Sequence, residues 1–99
     1  MTLAADRKKH FRSLGHNLKP VVTIAGKGVT EGVIAETNRA LEDHELIKIK
    51  IAIADRDSRK EVIGNLCQSC QAELVQEIGK VALLFREARE PKTGKSNIR

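Results

Sequence analysis

The sequence predicts an α+β domain, an α/β sandwich built in the order α-β-α-β-α-β-β around a small four-stranded mixed sheet. Three observations predict it. Apolar residues recur at helical spacing in three segments. In four others they alternate or run together at strand length. Glycine- or proline-containing turns separate three of the six pairs of neighbouring segments. Ninety-nine residues suffice for one such domain and no more.

The first helix is expected from Thr2 to Leu14. Leu3, Arg7, Phe11 and Leu14 fall near one face, Thr2 stands at the cap position and Gly15 at the stop. His16–Pro20 reads as a linker, because Pro20 biases Lys19 toward extended backbone. Val21–Ala25 is a β-branched run of strand length, followed at once by Gly26-Lys27-Gly28. A second helix is expected from about Thr30 to Asp43, with Val33, Ile34, Thr37, Ala40 and Leu41 inward. Leu46–Ile53 is the clearest strand: Ile47, Ile49, Ile51 and Ile53 share one face, and Lys48 and Lys50 the other. Asp55-Arg56-Asp57 reads as a turn, and Ser58-Arg59-Lys60-Glu61 as a capping box opening the third helix. Val62, Ile63, Leu66, Cys67 and Cys70 form that helix's buried stripe. Two strands, Glu73–Ile78 and Val81–Arg86, close the fold through Gly79-Lys80, with glycine first as a type II′ turn prefers. Each β-α-β crossover makes its strands parallel, and the final hairpin is expected to add an antiparallel edge. The domain is assigned to residues 1–86, and residues 87–99 to a basic flexible tail.

Charge distribution narrows the function. The net charge is +5. Residues 1–19 carry +4 and residues 86–99 carry +3, whereas the stretch between them is at −2. Basic ends favour a polyanionic partner, nucleic acid ahead of an anionic membrane surface; simply solvated ends are the plain alternative. The longest apolar run, Val81–Phe85, is far short of the ~20 residues a membrane span needs. Met1–Arg12 lacks the apolar stretch of a secretory signal, so the expected compartment is the cytoplasm. With Phe11 and Phe85 the only aromatic residues, rows of stacking rings are excluded.

Among local motifs, the strand–Gly26-Lys27-Gly28–helix junction is the most informative. Glycines admit close backbone approach, the following helix start presents N–H groups, and Lys27 adds a full charge. These ingredients fit a phosphate grip; an ordinary strand-to-helix turn fits equally. A dinucleotide fingerprint is broken, since Gly32 comes one place late. Thr93-Gly94-Lys95-Ser96 imitates the end of a Walker A loop, but Arg89 stands where its first glycine belongs. Cys67 and Cys70 have C-x-x-C spacing, yet they lie inside a helix on its apolar stripe, where two small hydrophobes are expected. No second ligand pair accompanies them for zinc, and His10, His16 and His44 are scattered. Asp43-His44-Glu45 reads as a solvated connection rather than a base with its orienting carboxylate. Lys48 and Lys50 gain weight from Lys27 at the end of another strand and from the basic first helix, which must pack nearby.

Leu18-Lys19-Pro20-Val21-Val22, the glycine loop, Val29-Thr30-Glu31-Gly32-Val33 and Glu45–Lys50 follow one another as in the YhbY-like proteins. Those are bacterial stand-alone versions of the CRM domain, and the chain resembles them over about residues 3–86. Asp55-Arg56-Asp57 and Ile78-Gly79-Lys80 match as well. The resemblance implies an RNA-binding fold similar to the C-terminal domain of a bacterial translation initiation factor. It also implies association with precursors of the large ribosomal subunit. The family's loop is usually G-x-x-G, and its first glycine is Ala25 in this chain.

The expectation is therefore a non-enzymatic, monomeric RNA-binding protein in ribosome assembly, with no catalytic residue, cofactor or metal. Gly26, Lys27 and Gly28 would meet the phosphodiester chain, and Lys9, Arg12, Lys19, Lys48, Lys50 and Arg56 would extend the basic surface. Structured RNA, above all large-subunit ribosomal precursor RNA, is the expected partner. The alternatives are a thiol or zinc protein centred on Cys67 and Cys70, and a protein-binding adaptor on the ribosome.

Overall fold

The structure, a computed structural model, describes residues 4–90 and 94–98. Seven elements follow in the expected order: α1 (Ala5–Gly15), β1 (Pro20–Ile24), α2 (Glu31–His44), β2 (Leu46–Ile51), α3 (Arg56–Cys70), β3 (Glu73–Ile78) and β4 (Val81–Phe85). They make an α+β fold with a four-stranded mixed sheet in the order β1-β2-β4-β3. β1 runs parallel to β2, and β4 runs antiparallel to both of its neighbours.

The hairpin was expected to add an antiparallel edge, but its antiparallel strand is internal. The reason lies in composition. Val81-Ala82-Leu83-Leu84-Phe85 has no polar residue to turn toward water, so it needs cover on both faces. Between β2 and β3 it lies under α2 and α3 on one face and α1 on the other, and Ala82 through Phe85 are all buried. β3, with Glu73, Gln76 and Glu77, takes the edge, where polar side chains are tolerated. Of the two turn residues only Gly79 has positive φ, at 55°, as a type II′ turn requires.

Two apolar layers flank the sheet. On one face Ile47, Ile49 and Ile51 join Val22, Ile24, Ala82 and Leu84 beneath Leu41 of α2 and Ile63, Leu66 and Cys70 of α3. On the other, Phe11 of α1 packs with Leu46, Val75, Leu83 and Phe85. The Phe11 and Phe85 rings lie 4.7 Å apart, with the Arg7 guanidinium over both at 5.2 and 5.3 Å. That contact gives one cation of the first helix a packing role.

Local signals competed at several element ends. Thr2 lies outside the described residues. Gly15 does not stop α1: the helix runs through it to a cap at His16. A Cβ at Gly15 would collide with the Leu83 side chain, so the glycine serves close approach. α3 begins two residues before the expected capping box. Its cap is Asp55, whose Oδ2 accepts from Ser58 N at 3.0 Å and Ser58 Oγ at 2.7 Å. Arg56 and Asp57 are thus helical rather than a turn.

Glu45 is not part of a solvated connection. It has φ 64° and no exposed surface. Its Oε2 accepts from Ala88 N at 2.9 Å and its Oε1 from Ser96 Oγ at 2.8 Å. Both donors belong to the segment set apart as a tail. Asn97 N also donates to His44 O at 2.9 Å, Asn97 Nδ2 donates to Leu46 O at 2.7 Å, and Ile98 packs on the α1 layer. Packing therefore continues past residue 86, because polar groups at the α2–β2 junction take their partners from there.

Candidate nucleic-acid interface

The glycine loop leaves the sheet at the C-terminal end of β1. Gly28 N donates to Ala25 O at 2.9 Å, closing a four-residue turn with Gly26 and Lys27 at its centre. Gly28 takes φ +72°, a conformation that only glycine adopts without strain. Ala25 is not among the positive-φ residues, so alanine is accommodated where the related loops carry glycine. At Gly26 the fold itself requires no glycine, since a Cβ there would meet open space and φ is not positive. Lys27 is exposed between them. Thr30 then caps α2 by accepting from Val33 N at 3.2 Å, which fixes the helix start directly behind the loop.

Three other segments reach the same end of the sheet. Lys50 stands opposite Thr23 in the β1–β2 register, exposed on the α1 side. Ala52 N donates to Ile24 O at 2.7 Å, carrying the ladder on to the base of the loop. Ile51 N donates to Lys80 O, also at 2.7 Å, which draws the hairpin tip against the end of β2. Arg56 and Lys60, in the first turns of α3, face Gly79 across a groove of about 410 Å³ that Glu77 also lines. Lys27, Lys50, Arg56, Lys60 and Lys80 are all exposed and together form a cationic rim around the strand ends.

The remaining residues expected at the site are placed differently. Lys48 shares Lys50's side of β2 but is half-buried beside Gly15 and His16. Lys9 and Arg12 are exposed on α1, which does pack on the Lys48 face. It meets the sheet at Leu46, Leu83 and Phe85, the half away from the glycine loop. Lys19 is exposed just before Pro20, whose register partner is Lys48. These cations form a second group along α1 and the start of β1, and the fold does not bring them to the loop. Lys60 and Lys80, which the expected set does not include, are exposed at the same strand ends as the loop. The Gly79-Lys80 hairpin signal marks Lys80 as a turn tip, but its approach to β2 depends on pairing across the sheet.

Not every cation of the fold is available to a ligand. Arg59 Nη1 donates to Ile53 O at 2.8 Å and Ala54 O at 2.6 Å, pinning the β2–α3 loop. Arg86 Nη1 donates to Asn38 Oδ1 at 2.8 Å and Cys70 O at 2.9 Å, tying α2 to the end of α3. The thiols behave as packing groups. Burial pushes Cys67 up to about 11 and raises Cys70 as well, opposite to the depressed value a reactive thiol needs. Among the described residues no group of three or more His, Cys, Asp or Glu is placed to hold a metal ion. Nor is any described helix long and apolar enough to cross a membrane.

Fold and rim together define a small α+β domain with a glycine turn set into a cationic sheet end. The chain belongs to the CRS1/YhbY (CRM) domain family, whose pattern it matches over residues 3–86. It is 51% identical over 98 residues to the "Probable RNA-binding protein PA4753" of Pseudomonas aeruginosa, covering 99% of this chain and 94% of that one. A Haemophilus influenzae "RNA-binding protein" is 43% identical over 91 residues, 92% of each chain. The solution structure of SAV1595 from Staphylococcus aureus has the same fold, with TM-score 0.80 at 35% identity, covering 93% of this chain and 96% of that one.

Proposed function

We propose that this chain is a non-enzymatic RNA-binding protein, acting as a cytoplasmic monomer on structured RNA of large-subunit ribosomal precursors. The observation that carries the reading is the glycine turn inside the cationic rim. Gly26 and Gly28 present bare backbone, Lys27 stands between them, and Lys50, Arg56, Lys60 and Lys80 surround them. Such a surface neutralises phosphates and accepts close backbone approach without reading a sequence. The names carried by its relatives support RNA as the ligand class. The ribosomal precursor is the finer part of the proposal and rests on the resemblance to YhbY-like proteins. Few aromatic groups are present to stack bases, which favours folded RNA recognised through its backbone.

Lys27→Glu tests the rim. The side chain is exposed in an open turn, so the melting temperature should stay within about 1–2 °C of the parent. Affinity for a ribosomal RNA fragment should fall about tenfold or more, since one cation is replaced by an anion. Equal affinity in this variant removes the loop from the interface. Crosslinking in cells, followed by mapping of the bound RNA, tests the ligand. Large-subunit precursor RNA should dominate, and a spread over messenger RNAs contradicts the assignment.

A further inference from the structure

The sheet face that carries Lys50 also holds a cavity for which backbone gripping has no use. It measures about 90 Å³ and opens between the C-terminal turn of α1 and strands β2, β4 and β3. Its apolar lining comes from Ile78, Val81 and Leu83, and its polar lining from His16, Lys48 and Gln76. Ile78 is 65% exposed and stands opposite Val81 in the β3–β4 register. Val21 of β1 is 46% exposed; these two are the exposed large hydrophobic residues among those described. Lys50 of the rim lies two positions along β2 from Lys48, about 7 Å at the rise of a strand. The cavity thus borders the surface proposed to track the RNA backbone.

We infer that this cavity receives one unstacked nucleobase of the bound RNA. The inference rests on the RNA-binding reading and adds a base contact to it. A base has an apolar face and a hydrogen-bonding edge, and the cavity supplies a counterpart to each. Ile78 and Val81 offer an aliphatic surface for the ring face. Lys48 donates, Gln76 both donates and accepts, and His16 adds a ring nitrogen for the edge. A phosphate would gain nothing from the aliphatic lining. An apolar side chain of a protein partner would strip water from Lys48 and Gln76 without replacing their hydrogen bonds. Drug-sized ligands need pockets of ~300–1,000 Å³, well above this volume. Since the lining is aliphatic, the contact should be weaker than stacking on an aromatic ring.

The test compares two probes by fluorescence anisotropy: a short oligoadenylate, and a ribose-phosphate strand of equal length without bases. The parent should bind oligoadenylate about fivefold more tightly than the baseless strand. Ile78→Ser, at an exposed position, should keep the parent's melting temperature and its affinity for the baseless strand, while losing most of the fivefold preference. Lys27→Glu should weaken both probes alike and leave the preference standing. Equal binding of both probes by the parent overturns the base site while leaving the RNA-binding reading intact. So does a preference that survives Ile78→Ser. Failure to bind either probe or a ribosomal RNA fragment overturns both. If Ile78→Ser changes neither affinity but abolishes retention on RNase-treated ribosomal particles, the cavity belongs to a protein contact instead.

Discussion

Gly15 of α1 lies flat against the side chain of Leu83 in β4, with no room between them for a methyl group. Leu83 also lines the cavity on the α1 face, so the helix contact and the cavity share a wall. Gly15→Ala should push Leu83 toward that cavity and cost about 1–3 kcal/mol in urea unfolding. In a Leu83→Ala background the same substitution should cost much less, because the obstructing side chain is gone. An equal cost in both backgrounds contradicts the contact.

The buried carboxylate of Glu45 ties residues 88 and 96 to the α2–β2 junction. Glu45→Ala leaves those donors without their acceptor and should destabilise the domain by about 2–3 kcal/mol. Hydrogen exchange should speed up at Ala88 and Asn97 well beyond the global change. Exchange at those amides that follows only the global change would mean that this segment takes its order from elsewhere.

Asp55 sets a pH dependence. Hydrogen bonds from Ser58, side chain first and backbone second, hold its carboxyl below the ordinary value of 3.8. The folded protein therefore binds this proton less tightly than the unfolded chain does. The resulting stabilisation is full above the unfolded value and is lost as pH falls through the lower folded value. Asp55→Asn keeps a capping side chain but removes this titration. The parent should have the higher melting temperature at neutral pH, and the gap should close as pH falls below 3.8 and through the lowered folded value. A gap that is constant with pH would show that the charge does not contribute.

What could be read from the chain was what depends on near neighbours. The alternation of Lys48 and Lys50 with isoleucines gave β2 and its two faces, and the glycine loop fell between β1 and α2 as its spacing implies. The Asp55 cap is masked in the sequence because Ser58-Arg59-Lys60-Glu61 offers a competing local signal three residues on. The buried role of Glu45 was hidden, since its partners are 43 and 51 residues away. The rim was only partly legible for the same reason. Lys27, Lys50 and Arg56 announce themselves beside strands and turns; Lys60 follows one turn after Arg56 only once α3 begins at Arg56, and Lys80 joins only once β4 pairs with β2. The inward place of β4 was foreshadowed by its lack of polar residues, although the hairpin itself suggested an edge.

A rim that grips RNA through its phosphates must release counterions on binding, so its affinity depends on salt. With about four to six phosphates neutralised, log affinity for a ribosomal RNA fragment should fall against log salt with a slope of roughly −3 to −5. Lys27→Glu should make that slope shallower by about one. A slope near zero, or one unchanged in the variant, would mean that the rim does not hold the RNA backbone.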